Sequence, residues 1–416
     1  MNRKVALIAC VAALAAGSAW AAGKAETSAP ATAKKVTLNV WEHTPQFEAS
    51  IKGVIEAFMA KNPDVVVEYE IKTPDQYYAL LSTAIQAGEA PDIFWTNGSA
   101  TTDLANLVKQ NAVMDLSGKI DDSAYSSLAR KLTVLDGKTW LTPGATVGTR
   151  AVYYDKDLFA KHGLSVPKTF AEFEKLLETL KSKGVLPISF GGRFTWSILF
   201  HFEPILAAMS PDWLADASEG KARVNDPRVA AAFDKMVEWG NKGYYGPGYL
   251  GVDEGGQLLA FSKGDAAMTL TGSWNADTLR KNNPNMKVGA FQIPTKDGKR
   301  PMIVTSSTGY SVYSKTKNPE AALRLARFMA TVEAQQIWVD GVKDIPGLTG
   351  VTSADPLITE IIASDFQVPS FYSILGDNAK PGATPPTQIW EQDNVKQLSG
   401  ALTTAQFLQS LDSSMR

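Results

Sequence analysis

The chain has 416 residues, 44% of them hydrophobic and 20% charged, with 32 glycines, 22 prolines and a formal net charge of −2. This is too long for one ordinary hydrophobic core and too apolar for a disordered or fibrous chain, and the near-neutral balance offers nothing to recruit nucleic acid or an anionic membrane surface. One cysteine, three histidines and ten tryptophans leave little for metal or nucleophilic chemistry and much for flat apolar surfaces.

In chain order, Arg3 and Lys4, the apolar run Val5 to Ala16 and the small-x-small site Ala19-Trp20-Ala21 predict a secretory signal peptide over 1–21. The apolar run is too short to span a bilayer, so a soluble protein outside the cytoplasm is expected. Leu7-Ile8-Ala9-Cys10 also looks like a lipoprotein box, but only five apolar residues precede the cysteine, fewer than such a signal usually has. Cleavage after Ala21 would remove Cys10 and change the balance to 39 basic against 43 acidic residues, net −4. Residues 22–35 hold no large apolar side chain and read as a flexible leader.

From Val36 the pattern is strand (36–41), helix (47–61), strand (65–71), helix (77–86), strand (91–95), which predicts parallel strands in an open α/β sheet. Such sheets bind ligands at the carboxyl ends of their strands, so Trp41 to Gln46 and Thr96 to Ser99 should face a cleft. A second α/β unit follows, with strands at 148–155 and 188–190, helices at 169–181, 197–208 and 227–241, a glycine-rich loop at 243–256, and a helix, turn and strand ending in Gly272-Ser273-Trp274. Strands near 287–292 and 309–313 precede an amphipathic helix at 319–331, and the remainder reads as helical around a proline-rich loop at 381–386.

No Gly-x-Ser-x-Gly elbow, HxxxH, CxxC, EF-hand, GxGxxG or Walker loop occurs, so no catalytic residue, metal site or cofactor is expected. Two of the 43 acids could in principle serve a glycosidase, but no pair stands out from surface charge. The tryptophans say more. Trp41, Trp95 and Trp274 stand at or just before strand ends, Trp196 lies in a loop and Trp390 follows the proline-rich loop. A flat apolar ring beside hydrogen-bonding Asn, Thr, Ser or Glu suits a sugar, whose C–H face packs on the ring while its hydroxyls need donors and acceptors.

Several motifs then carry a resemblance: Ala87-Gly88-Glu89-Ala90-Pro91-Asp92-Ile93; Asp136 to Pro143 with Tyr153 to Phe159; and Phe261-Ser262-Lys263-Gly264-Asp265-Ala266-Ala267-Met268 with Gly272-Ser273-Trp274. Their order over about 36–410 resembles the bacterial extracellular solute-binding proteins of family 1, the sugar-capturing subunits of ABC importers. The resemblance implies an α/β, two-lobed periplasmic-binding-protein fold with a hinge between the lobes, closing on a mono- or oligosaccharide and docking on ABC permease subunits in the inner membrane. It implies a monomeric, non-enzymatic protein. The lobes are expected to comprise 36–147 with about 272–318, and 148–271 with about 319–416. Ligand contacts are expected at Trp41, Glu42, His43, Thr44, Asn97, Gly98, Arg193, Trp196, Trp274, Ser306, Ser307 and Trp390. The tip after Trp95 lacks a charged Asp-Arg pair and Gly148 stands where the maltose-binding branch has an acid, which argues against maltose. A glycerol-phosphate ligand is the second reading and would use Arg150 or Arg193.

Overall fold

The computed structural model describes residues 35–416 except 74–75, 101, 145 and 307–308. The expected signal peptide, its Cys10 and all but the last residue of the leader lie outside the described residues.

The first sheet forms as the alternation predicts. In β1 (Val36–Glu42) the buried side chains are Leu38, Val40 and Glu42, every second residue, as a half-buried strand requires. β1 pairs in parallel with β2 (Val65–Ile71) on one side and β3 (Ile93–Thr96) on the other. The intervening helices, Glu48–Lys61 and Tyr77–Ala87, serve as crossovers, and the second ends at Gly88 in the left-handed conformation. A small hairpin, β4 (Val134–Leu135) and β5 (Lys138–Thr139), precedes the chain's passage into β6 (Val147–Gly148) and β7 (Arg150–Asp155).

The second sheet is mixed: β8 (Leu186–Ser189) runs parallel to β9 (Ala266–Gly272), β9 antiparallel to β7, and β7 antiparallel to β10 (Val288–Phe291). β9 is buried along its whole length, as a strand covered on both faces must be. The helix Phe170–Ser182 begins where expected, with the Thr169 hydroxyl accepting the Glu172 amide at 3.2 Å. The hairpin strands β4 and β5 were not foreseen, nor were two further strands. β11 (Pro301–Ser306) pairs with β6 and with β13 (Phe366–Pro369), and after it β12 (Gly309–Val312) returns to the first sheet antiparallel to β3.

Among the described residues the two largest core clusters lie one against each four-stranded sheet, in the two lobes. One cluster joins Leu38, Val40, Ile55, Phe58, Phe94 and Val312 to Leu325, Met329 and Trp338. The other joins Val152, Phe173, Leu177, Phe202, Phe233 and Met268 to Phe371, Trp390 and Phe407. Core membership and strand pairing cut across the expected intervals at two places. Residues 276–291 stay with the second sheet because β10 pairs along β7, and Ala276, Leu279 and Ala290 pack with Tyr153 and Phe261. Helices Pro319–Met329 and Val332–Val342 stay with the first sheet, since Ala322, Leu325, Ala326 and Met329 bury against it. The amphipathic spacing predicts that one helix face is covered, but it does not say by which sheet.

Candidate functional site

The carboxyl ends of β1 and β3 lie side by side, and the residues after them form the first part of the site. His43 stacks on Trp95 with ring centroids 3.7 Å apart and planes 24° from parallel, and Tyr77 lies 5.1 Å from His43. The Thr44 hydroxyl is 2.8 Å from His43 Nδ1. Asn97 is half-buried and its amide donates to the Tyr78 hydroxyl at 3.0 Å. Gly98 has φ +60°, and a β-carbon there would stand 2.3 Å from the Leu132 carbonyl oxygen, so the turn requires glycine.

Glu42 departs from its expected role. It is fully buried, Oε1 accepts the amides of His43 (2.8 Å) and Thr44 (2.9 Å), and Oε2 accepts the Tyr310 hydroxyl. A carboxylate so occupied holds the strand tip rather than reaching a ligand. Burial first, and Glu42 next, push the Tyr310 hydroxyl well above its ordinary range, which keeps it protonated as the donor. Trp41 lies on the opposite face of β1 from Val40 and Glu42, with the Lys72 ammonium 4.2 Å over its ring.

The second part is built around Trp274. The ring is half-buried and packs against both cores, so it lies where the two lobes meet. Two glycines make room for it: a β-carbon at Gly272 would come within 2.3 Å of the ring, and one at Gly148 within 3.1 Å. Phe200 meets it edge-on at 5.4 Å, and the Arg150 guanidinium lies 5.1 Å from its centroid. Nearby, Asn275 donates to Glu254 and Thr271, each at 2.8 Å, and accepts from Gln46 at 3.2 Å. Burial raises the Glu254 carboxyl, opposed by that Asn275 bond and by Arg150. Asp344, also buried, is pushed up to about 6 by desolvation despite bonds from Ser273, the Ile345 amide and Thr146.

The third part is carried by the helices Thr195–Met209 and Phe371–Asp377. Half-buried Trp196 faces Tyr372 at 4.7 Å, and the Tyr372 hydroxyl donates to Glu391 at 2.7 Å. The helix bearing Tyr372 packs on the turn Gly98–Ala100, and Lys131 pairs with Asp377 at its far end, so this part faces the β3 tip. Arg193 is exposed, with its amide donating to Val252. Ser306 ends β11 opposite Val147, and its side chain, like all of Ser307, lies outside the described residues.

Trp390 is a correction. It is fully buried among Phe202, Phe233, Phe371 and Phe407, all within 5.5–5.9 Å, because the helix Pro386–Leu398 turns it into the second lobe's core rather than toward solvent. Sequence reasoning missed Tyr372, Phe200, Glu203 and Asp344. The only local signal for the first was Ser370, a helix cap directly before two aromatic residues.

Among the described residues no three His, Cys, Asp or Glu side chains converge to hold a metal ion, and no helix is long and apolar enough to cross a membrane.

Residues 42–336, most of the chain, match the family described as bacterial extracellular solute-binding protein, and the chain belongs to it. Among its relatives are the Multiple sugar-binding protein of Streptococcus mutans, 25% identical over 74% of this chain and 74% of that one, and the Galactooligosaccharide-binding protein of Bacillus subtilis, 25% identical over 86% and 83%. The fold is that of a Chitin oligosaccharide binding protein (TM-score 0.76, 23% identity, covering 91% of this chain and 98% of that one) and of the binding protein RafE in complex with raffinose (TM-score 0.72, 22% identity, covering 91% and 98%).

Proposed function

We propose that the protein is the substrate-binding subunit of an ABC importer, exported to the periplasm, that captures a carbohydrate between its lobes and hands it to the permease subunits without altering it. The observation that carries this reading is Trp274, a half-buried ring at the junction of both cores, set between two glycines and followed by Asn275. A sugar ring packs on such a face, and polar groups from both sides, Asn97 and Asn275 among them, are suited to its hydroxyls. Relatives named for sugars and galacto-oligosaccharides support an oligosaccharide over a single ring. Trp196 and Tyr372 supply a second aromatic surface for the further rings of such a chain.

A glycerol-phosphate ligand is disfavoured by charge. Arg150, the buried cation beside Trp274, is already matched by Glu203 at 3.1 Å, and Glu254 and Asp344 add negative potential around it. Arg193 is exposed on its loop.

Titration calorimetry against mono-, di- and oligosaccharides tests the reading. Binding of an oligosaccharide at micromolar Kd, about −8 kcal/mol, with the sugar recovered unchanged, is the expected result. Binding of glycerol phosphate with no response to any sugar would overturn the ligand class, and turnover of the sugar would overturn the transport role.

A further inference from the structure

The buried ion pair beneath Trp274 reaches both aromatic surfaces of the site. Arg150 opens β7 at 4% exposure, and Glu203 lies within the helix Thr195–Met209 at 1%. Their closest approach is 3.1 Å, Nε to Oε2. Neither Arg150 Nε and Nη1 nor Glu203 Oε2 finds a well-aligned hydrogen-bond partner among the described residues. Beside the Glu203 charge, the guanidinium lies against two ring faces, Phe200 at 4.5 Å and Trp274 at 5.1 Å.

Glu203's other oxygen is engaged elsewhere. Oε1 accepts the Ser370 hydroxyl at 2.6 Å and the Tyr372 amide at 3.2 Å. Ser370 caps the helix Phe371–Asp377, so one carboxylate oxygen fixes the start of the helix that carries Tyr372 while the other faces the cation under Trp274. A buried ion pair is commonly no more stabilising than an apolar pair of the same volume, so fold stability alone gives this arrangement no clear advantage.

We propose that Arg150 and Glu203 are positioning residues that act as one linkage, setting the Trp274 ring and the Tyr372 helix at a fixed relation to each other, so that both aromatic surfaces meet the same ligand. The role of those surfaces rests on the carbohydrate reading above; the mechanical linkage does not.

The test uses the exported protein labelled with 5-fluorotryptophan, with the Trp274 fluorine resonance assigned through Trp274→Phe. Glu203→Gln keeps the side chain's shape and an acceptor for Ser370 and Tyr372 but removes the charge facing Arg150, and Arg150→Lys keeps the charge but loses the flat stack. Both should move or split the Trp274 line by more than its width while the Trp140 and Trp338 lines of the first lobe stay in place. Raffinose, stachyose and chitotriose are then titrated calorimetrically, and a sugar that binds the wild type should bind both variants at least 10-fold more weakly, with unfolding midpoints within a few degrees of the wild type. If Glu203→Gln leaves the Trp274 line unmoved, or shifts Trp140 and Trp338 as much, the linkage is overturned; should that variant fail to fold, Arg150→Lys gives the same readout. If none of the sugars binds the wild type, the carbohydrate reading fails and the fluorine spectra still decide the linkage. Wild-type binding of inorganic phosphate that Arg150→Lys abolishes would make Arg150 a direct anion contact and overturn the proposal.

Discussion

Trp274 and Trp390 have the same side chain in opposite settings, and the difference sets what each substitution should do. Removing the Trp390 ring leaves a cavity among four phenylalanines, so Trp390→Ala should lose about 3–5 kcal/mol of stability in denaturant unfolding while the folded fraction binds as before. Trp274→Ala should lower the unfolding midpoint less than Trp390→Ala does and weaken sugar binding by about 1–3 kcal/mol in calorimetry. The reverse pattern would make Trp274 a core residue. Glu42 belongs with the structural group. Glu42→Ala strands the amides of His43 and Thr44 and the Tyr310 hydroxyl in a buried place, and should cost at least about 2 kcal/mol of stability. A full-strength fold with abolished binding would return Glu42 to the ligand contacts.

Where strands and helices meet, Asp344 ties together three segments: Thr146 before β6, Ser273 after β9, and its own position just past the helix Val332–Val342. Its carboxyl titrates near 6 in the fold against an ordinary value of 3.8, raised first by burial, with Arg150 pulling the other way. A raised acid binds its proton more tightly folded than unfolded, so this group's contribution to stability falls as pH rises from about 4 to about 6 and is flat outside that window. Asp344→Asn should flatten the slope of unfolding free energy with pH across that window, and an unchanged slope would show that Asp344 titrates normally. The elements themselves were largely legible. Alternation at 36–42 and 65–71 and the Thr169 cap predicted what formed, because those signals are local. β11 and β13 were not, since their pairing partners lie more than 60 residues away in sequence for one pair and more than 150 for the other.

For the whole molecule, the proposed capture of a carbohydrate between the lobes requires movement of one lobe against the other. Small-angle scattering should show a smaller radius of gyration when a binding oligosaccharide saturates the protein, and an unchanged radius together with tight binding would argue for a preformed site. The recognition motifs, the two open sheets and the run of tryptophans at strand ends could all be read from the chain, because periodicity and turn chemistry are encoded within a few residues. Which sheet the helix at 319–329 would cover, whether Trp390 would face a cleft or a core, and that Glu203 would face both Arg150 and the start of the Tyr372 helix could not. Those outcomes depend on contacts between segments far apart in sequence, and a buried face looks the same in sequence whichever partner buries it.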